Sequence, residues 1–222
     1  MALEVGIPTD KKINVAVSGG FDSAVLWYSV YKTCLERGQE CVAITAPQND
    51  SCVGLANSVL TYIHSVLGGT VNETIVLGPT GYDEDEEDSS FVVGRMLDVI
   101  NEDIETYGDE VFMAGSQTYD PSGNLDEYKQ YRFGTTDIEQ LLIDTRPNIN
   151  FQMPFRYTTK VNIIEHMQEL DSDVCNQLLI LTSSCWNPVV ESDTIERCGT
   201  CASCVERAWA CEETGITDPG TK

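Results

Sequence analysis

The sequence predicts an α/β fold in which a parallel sheet carries helices on both faces. The strand-like segments are short, almost unbroken apolar runs, as strands covered on both sides require. They alternate with segments of helical period, the order that builds strand-helix-strand crossovers.

The first strand is read over residues 13–18 (INVAVS), where β-branched Ile13, Val15 and Val17 alternate with smaller residues. A helix follows, with Ala24, Trp27, Tyr28, Tyr31 and Leu35 on one stripe that stops near Gly38. CVAIT (41–45) is the second strand, residues from about 51 to 67 form a helix closed by Gly68-Gly69, and TIVLG (74–78) is the third strand. Residues 79–90 read as a loop, whose acidic run Asp83 to Asp88 is a solvated, self-repelling stretch rather than a divalent-cation site. Residues 91–108 read as a helix with Leu97, Ile100 and Ile104 on one side, and VFMAG (111–115) as the fourth strand. The turn-rich segment 116–137 leaves the carboxyl end of that strand, where doubly wound sheets bind ligands. Its Tyr119, Tyr128, Tyr131 and Phe133 either line a pocket or pack the loop. Beyond it come the proline-punctuated NINFQMPFRYTTK, a helix near 159–170, and LLILTSSC (178–185). The expected division is an α/β domain over 1–180 and a small C-terminal region over 181–222 packed on it.

Composition limits the function. The 222 residues carry 13 Lys and Arg against 36 Asp and Glu, a formal charge of -23. A surface this acidic repels phosphate backbones and anionic membranes, so nucleic-acid binding would need a basic stripe, and the sequence has only the pair Lys11-Lys12 and scattered cations. No run approaches the ~18 apolar residues of a membrane span. The start, MALEVGIPTDKK, has no secretory pattern, so a cytoplasmic location is expected. Nine cysteines, several of them single in apolar segments, argue against a disulfide scaffold.

The segment Ser18-Gly19-Gly20-Phe21-Asp22-Ser23 lies where the first strand meets the first helix. Adjacent glycines let the backbone approach a ligand, the helix behind points N–H groups at the turn, and two hydroxyls add donors. That combination suits pyrophosphate or a nucleotide's phosphates, and the Asp22 carboxylate is compatible with them when Mg2+ lies between. The alternative is an ordinary glycine turn with a serine cap. The spacing matches neither GxxxxGK[ST] nor GxGxxG.

The second cluster is Cys185 with Cys198, Cys201 and Cys204, in which CGTCASC bends three thiolates toward one centre. Four sulfurs without a histidine, and no position left open, point to structural Zn2+, with an iron–sulfur cluster as the alternative. Cys34, Cys41, Cys52 and Cys175 read as small buried hydrophobes, and Cys211 has no partner at ligand spacing.

SGGFDS after a first strand resembles the pyrophosphate loop of the ATP-pyrophosphatase (PP-loop) family. Together with CGTCASCVERAWACEETGITDP, which includes Arg207, Glu212, Gly215 and Asp218-Pro219, it resembles the 7-cyano-7-deazaguanine synthase family of the queuosine pathway. VVGRMLDVI, EVFMAGSQTYD and MPFRYTTKVNII are similar to that family's middle landmarks. The resemblance implies a Rossmann-like fold of the adenine nucleotide alpha hydrolase type and ATP cleavage at the α-phosphate. Ser18, Gly19, Gly20, Phe21, Asp22 and Ser23 would then hold the phosphates, and Asp22, Ser23, Arg95 and Lys160 would serve catalysis. It further implies ATP, Mg2+ and Zn2+ as cofactors, 7-carboxy-7-deazaguanine and free ammonia as substrates, 7-cyano-7-deazaguanine as product, and a homodimer. Three segments depart from the family pattern: Met96, TAPQNDSC after the second strand, and YDPSGNLDEYKQYRF at 119–133. They leave open a divergent or phage-borne synthase, a related enzyme amidating another small acid or a protein terminus, and an inactive zinc-stabilised nucleotide-binding module.

Overall fold

The computed structural model describes residues 3, 5–45, 50–69, 75–76, 97–98, 100–101, 109–115, 143–185, 188–191 and 194–219. The acidic run at 83–88, Arg95, Met96 and the aromatic loop at 119–133 lie outside the described residues, as does most of the helix expected at 91–108.

Strand β1 (Ile13–Ala16) is central, flanked in parallel by β2 (Cys41–Thr45) and β4 (Val111–Ala114). Outside these lie β3 (Ile75–Val76) and β5 (Asn150–Gln152), also parallel, giving the order β3-β2-β1-β4-β5. The β1 register sets Ile13 opposite Cys41 on one side and Val111 on the other. β1 ends two residues before the expected boundary at Ser18, yet Val17 still donates its N–H to the Ile44 carbonyl at 2.8 Å.

The alternation of strand side chains divides the core in two. Ile13, Val15, Cys41, Ala43, Val111 and Met113 face a large cluster shared with the helices α1 (Phe21–Arg37), α2 (Asp50–Leu67), α3 (Lys160–Leu170), α4 (Ser172–Leu181) and α5 (Ala202–Glu213). Val42, Ile44, Phe112 and Ala114 face the opposite cluster, which contains Phe151 and the helical residues Leu97 and Ile100. The fold is therefore α/β with helical cover on both faces, as the unbroken apolar strands required.

In α1 the expected stripe holds for Ala24, Trp27, Tyr28 and Tyr31, all buried, whereas Leu35 is 43% exposed. The N-terminal half of this helix is buried all round, with Phe21 and the run Ser23–Tyr31 covered by the sheet and by neighbouring helices, and only its last turn emerges. Gly38 ends it at φ 64° and donates its N–H to the Leu35 carbonyl at 3.3 Å, the left-handed stop that glycine adopts without strain.

The C-terminal region packs on the same core through Ala210 and Cys211 of α5. Between α4 and α5, the antiparallel pair β6 (Val189–Glu191) and β7 (Thr194–Glu196) turns the chain back on itself. Arg207, fully buried, donates to both Asp218 carboxylate oxygens, to the Thr182 carbonyl and hydroxyl, and to the Leu179 carbonyl. Arg197 reaches the same two carbonyls. These cations satisfy the C-terminal end of α4, where the helix dipole favours positive charge. Burial, and then the nearby Arg207, push the Arg197 guanidinium down to about 10.

Candidate phosphate loop and metal centre

In a sheet ordered β3-β2-β1-β4-β5 the chain winds outward in both directions from β1. The crevice at its carboxyl end is therefore the topological switch point, where ligands of open α/β sheets bind. Ser18, Gly19 and Gly20 fill this position between β1 and α1. Gly19 has φ 82°, and a Cβ there would fall 2.4 Å from the Leu55 Cβ, so only glycine lets the loop lie this close to α2. Gly20 is the N-cap of α1 and no side chain caps the helix, which leaves first-turn N–H groups available to an anion.

The loop is held by its own hydroxyls. The Ser23 Oγ accepts from the Ser18 N–H at 3.2 Å, donates to the Gly20 carbonyl at 2.9 Å and lies 3.2 Å from the Ser18 Oγ. Ser18 is exposed, Ser23 is buried, and the Phe21 side chain is packed in the core, so Phe21 has only its backbone to offer a ligand. The Asp22 Oδ2 accepts from the Lys160 ammonium at 2.6 Å, whereas its Oδ1 is buried and has no hydrogen-bond partner among the described residues.

Lys160 is the first residue of α3, after the Thr159 cap, and is 2% exposed. The fold thus joins two site residues that lie 138 positions apart in the chain. A third partner, absent from the sequence-based set, is Glu206 of α5, whose buried Oε2 lies 3.5 Å from the Lys160 ammonium. Two further positions escaped the sequence. A Cβ on Gly115, at the exit of β4, would meet the Asp22 carbonyl oxygen at 2.8 Å. Ser183 donates its N–H to the Gly19 carbonyl at 3.1 Å.

The four sequence-predicted cysteines converge. The Sγ atoms of Cys185, Cys198, Cys201 and Cys204 all lie within 4.8 Å of one another, with Cys198 and Cys204 3.9 Å apart. A tetrahedral Zn2+ with bonds of about 2.3 Å needs sulfur–sulfur edges of about 3.8 Å, so the donor set fits zinc. The N–H of Cys198 points at the Cys185 sulfur (3.5 Å) and that of Cys201 at the Cys198 sulfur (3.3 Å). Burial tends to raise the Cys198 thiol, but the N–H groups of Cys201 and Thr200 outweigh it and bring it down to about 6. Burial and neighbouring cysteines push the Cys204 thiol up. Cys34, Cys41, Cys52 and Cys175 are buried, as expected of small apolar residues, and Cys211 is buried as well.

Fold and site together define the class: an α/β protein of the nucleotide-binding type, with a glycine loop at its switch point and a four-cysteine centre beside it. Residues 62–215 match the family model described as "Queuosine biosynthesis protein QueC", and the chain belongs to that family. The match begins downstream of the loop at 18–23, so the loop stands on its geometry. The chain is also similar to a 7-cyano-7-deazaguanine synthase of Methanopyrus kandleri, 30% identical over 94 residues, which cover 42% of this chain and 38% of the relative. No helix among the described residues is long and apolar enough to cross a membrane.

Proposed function

We propose that the protein is an ATP-dependent carbon–nitrogen ligase that converts 7-carboxy-7-deazaguanine and ammonia to 7-cyano-7-deazaguanine. Family membership supplies the substrate class. The observation that carries the activation chemistry is the part-buried Asp22–Lys160 pair behind the glycine loop, with one Asp22 oxygen left without a hydrogen-bond partner among the described residues.

The carboxylate oxygen of the acid attacks the α-phosphorus of ATP and expels pyrophosphate, giving an acyl adenylate. Ammonia attacks the acyl carbon and releases AMP, leaving the amide. The amide oxygen attacks the α-phosphorus of a second ATP and expels pyrophosphate. Loss of AMP, with both amide protons, then leaves the nitrile. Each step needs a poor oxygen leaving group replaced by a good one, and stabilisation of charge on the departing pyrophosphate. Ser18, Gly19, Gly20, Ser23 and the N–H groups from Phe21 onward are assigned to the β- and γ-phosphates. Asp22 is assigned to Mg2+, which supplies charge neutralisation when bound with ATP. Lys160 is assigned to charge developing at the α-phosphate and Arg95 to phosphate or substrate. Cys185, Cys198, Cys201 and Cys204 are assigned to a structural Zn2+ that leaves no coordination position open.

The test incubates zinc-loaded protein with ATP, Mg2+, ammonium and 7-carboxy-7-deazaguanine and follows amide, nitrile, AMP and pyrophosphate. Amide and then nitrile are expected, with two AMP per nitrile, and Asp22→Asn should abolish them while leaving the fold intact. Folded, zinc-loaded protein that leaves this acid untouched would defeat the assignment. Release of AMP and pyrophosphate with another acid would move it to a relative acting on a different substrate.

A further inference from the structure

The Lys160 ammonium has a second carboxylate, Glu206, that the proposed chemistry does not use. Burying an ammonium is costly, and Lys160 also sits at the N-terminus of α3, where the helix dipole opposes positive charge. Asp22 at 2.6 Å is a sufficient single counter-ion, yet Glu206, itself buried, also approaches to 3.5 Å. Asp22 belongs to the loop, whereas Glu206 is two residues beyond the cysteine ligand Cys204 on the first turns of α5. One ammonium therefore ties the loop to the metal centre. If Asp22 turns to a nucleotide-bound cation, the buried lysine loses its closest partner, and a carboxylate from elsewhere keeps it compensated until charge develops at the α-phosphate.

We infer that Glu206 is a positioning residue that keeps Lys160 compensated and in place when Asp22 engages Mg·ATP, so that the cysteine-bound helix supports nucleotide binding at the loop. This rests on the nucleotide assignment above, but on neither the acid nor the product.

The experiment is calorimetric titration of ATP into the full-length, zinc-loaded protein, with Mg2+ present and with Mg2+ omitted. Wild type is compared with Glu206→Gln, Glu206→Asp, Lys160→Met and the Lys160→Met/Glu206→Gln double variant, with metal content and melting temperature recorded for each. Glu206→Gln should retain its metal and weaken Mg·ATP binding by about tenfold or more, since Asp22 is then the sole counter-ion of a buried charge among the described residues. Binding without Mg2+ should change little, and Glu206→Asp should restore part of the affinity. In the Lys160→Met background, Glu206→Gln should have no further effect, the non-additivity expected of a residue acting through another. Unchanged Mg·ATP affinity in Glu206→Gln would overturn the inference. So would equal weakening with and without Mg2+, or the same loss in the Lys160→Met background. Wild-type protein that binds no Mg·ATP would defeat the nucleotide assignment and this inference together, whereas binding by wild type with an indifferent Glu206→Gln defeats this inference alone.

Discussion

Gly115 leaves β4 directly against the first turn of α1, where a Cβ would lie 2.8 Å from the Asp22 carbonyl oxygen and 3.0 Å from the Ser23 nitrogen. Those atoms are backbone and cannot swing aside. Gly115→Ala should therefore destabilise the protein by about 1–3 kcal/mol, a fall of roughly 2–10 °C in melting temperature by calorimetry. Gly54 is the counter-case, an exposed glycine within α2 whose Cβ would meet nothing within 4 Å. There Gly54→Ala should stabilise by about 0.5–1 kcal/mol in urea titration, because alanine loses less backbone freedom on entering a helix. Gly19 and Gly20 were legible as special because they stand together with serines at a strand-to-helix turn. Gly115 was not, since its neighbour is contributed by a segment ninety-odd residues earlier in the chain.

Among elements, those with an apolar run or a helical period were readable, the two-residue β3 within TIVLG included, and those without one were not. Strands β1, β2 and β4 and helices α1, α2 and α3 follow from apolar runs and helical spacing. The strand β5 has three residues, Asn150, Phe151 and Gln152, of which only Phe151 is apolar, so it exists by pairing with β4 rather than by its own pattern. The β6–β7 pair is equally short and forms where the chain must fold back to bring Cys185 beside Cys198. The four cysteines that converge were readable from spacing, whereas Glu206 was not, because the contact with Lys160 joins distant segments. Element order also sets what metal loss should do. With Zn2+ removed by a chelator, or in Cys201→Ser, amides of α5 should lose hydrogen-exchange protection while β1 and β4 stay protected. Equal loss across the sheet, or none in α5, would show that the cluster does not order this helix.

For the whole molecule, acid sensitivity follows from the two histidines. His64 is buried against the rings of Trp27 and Tyr31, and both its ring nitrogens lack hydrogen-bond partners among the described residues. Burial holds it below the ordinary 6.5, and burial does the same to His166 despite the opposing charge of Glu169. The unfolded chain therefore takes up protons that the native state refuses. Stability from this source is fully present above about pH 6.5 and declines as pH falls through the depressed native values. Urea unfolding from pH 8 to 5.5 should show that decline, and His64→Phe with His166→Gln should flatten it. An unaltered slope in the double variant would place the acid sensitivity in the carboxylates alone.

The bond from Ser183 to Gly19, and the grip of Lys160 on Asp22 and of Glu206 on Lys160, impose an order on synthesis. The loop leaves the ribosome before the groups that brace and neutralise it: Lys160 opens α3, Ser183 follows α4 and Glu206 lies in α5. A chain emerging N-terminus first can lay down β1 and β2 while its glycine turn is still unsupported. Asp22 then waits for its ion partner until α3 has been made. Any interruption of translation before α5 leaves a sheet with an unfinished mouth, so newly made copies cannot act before that helix is in place.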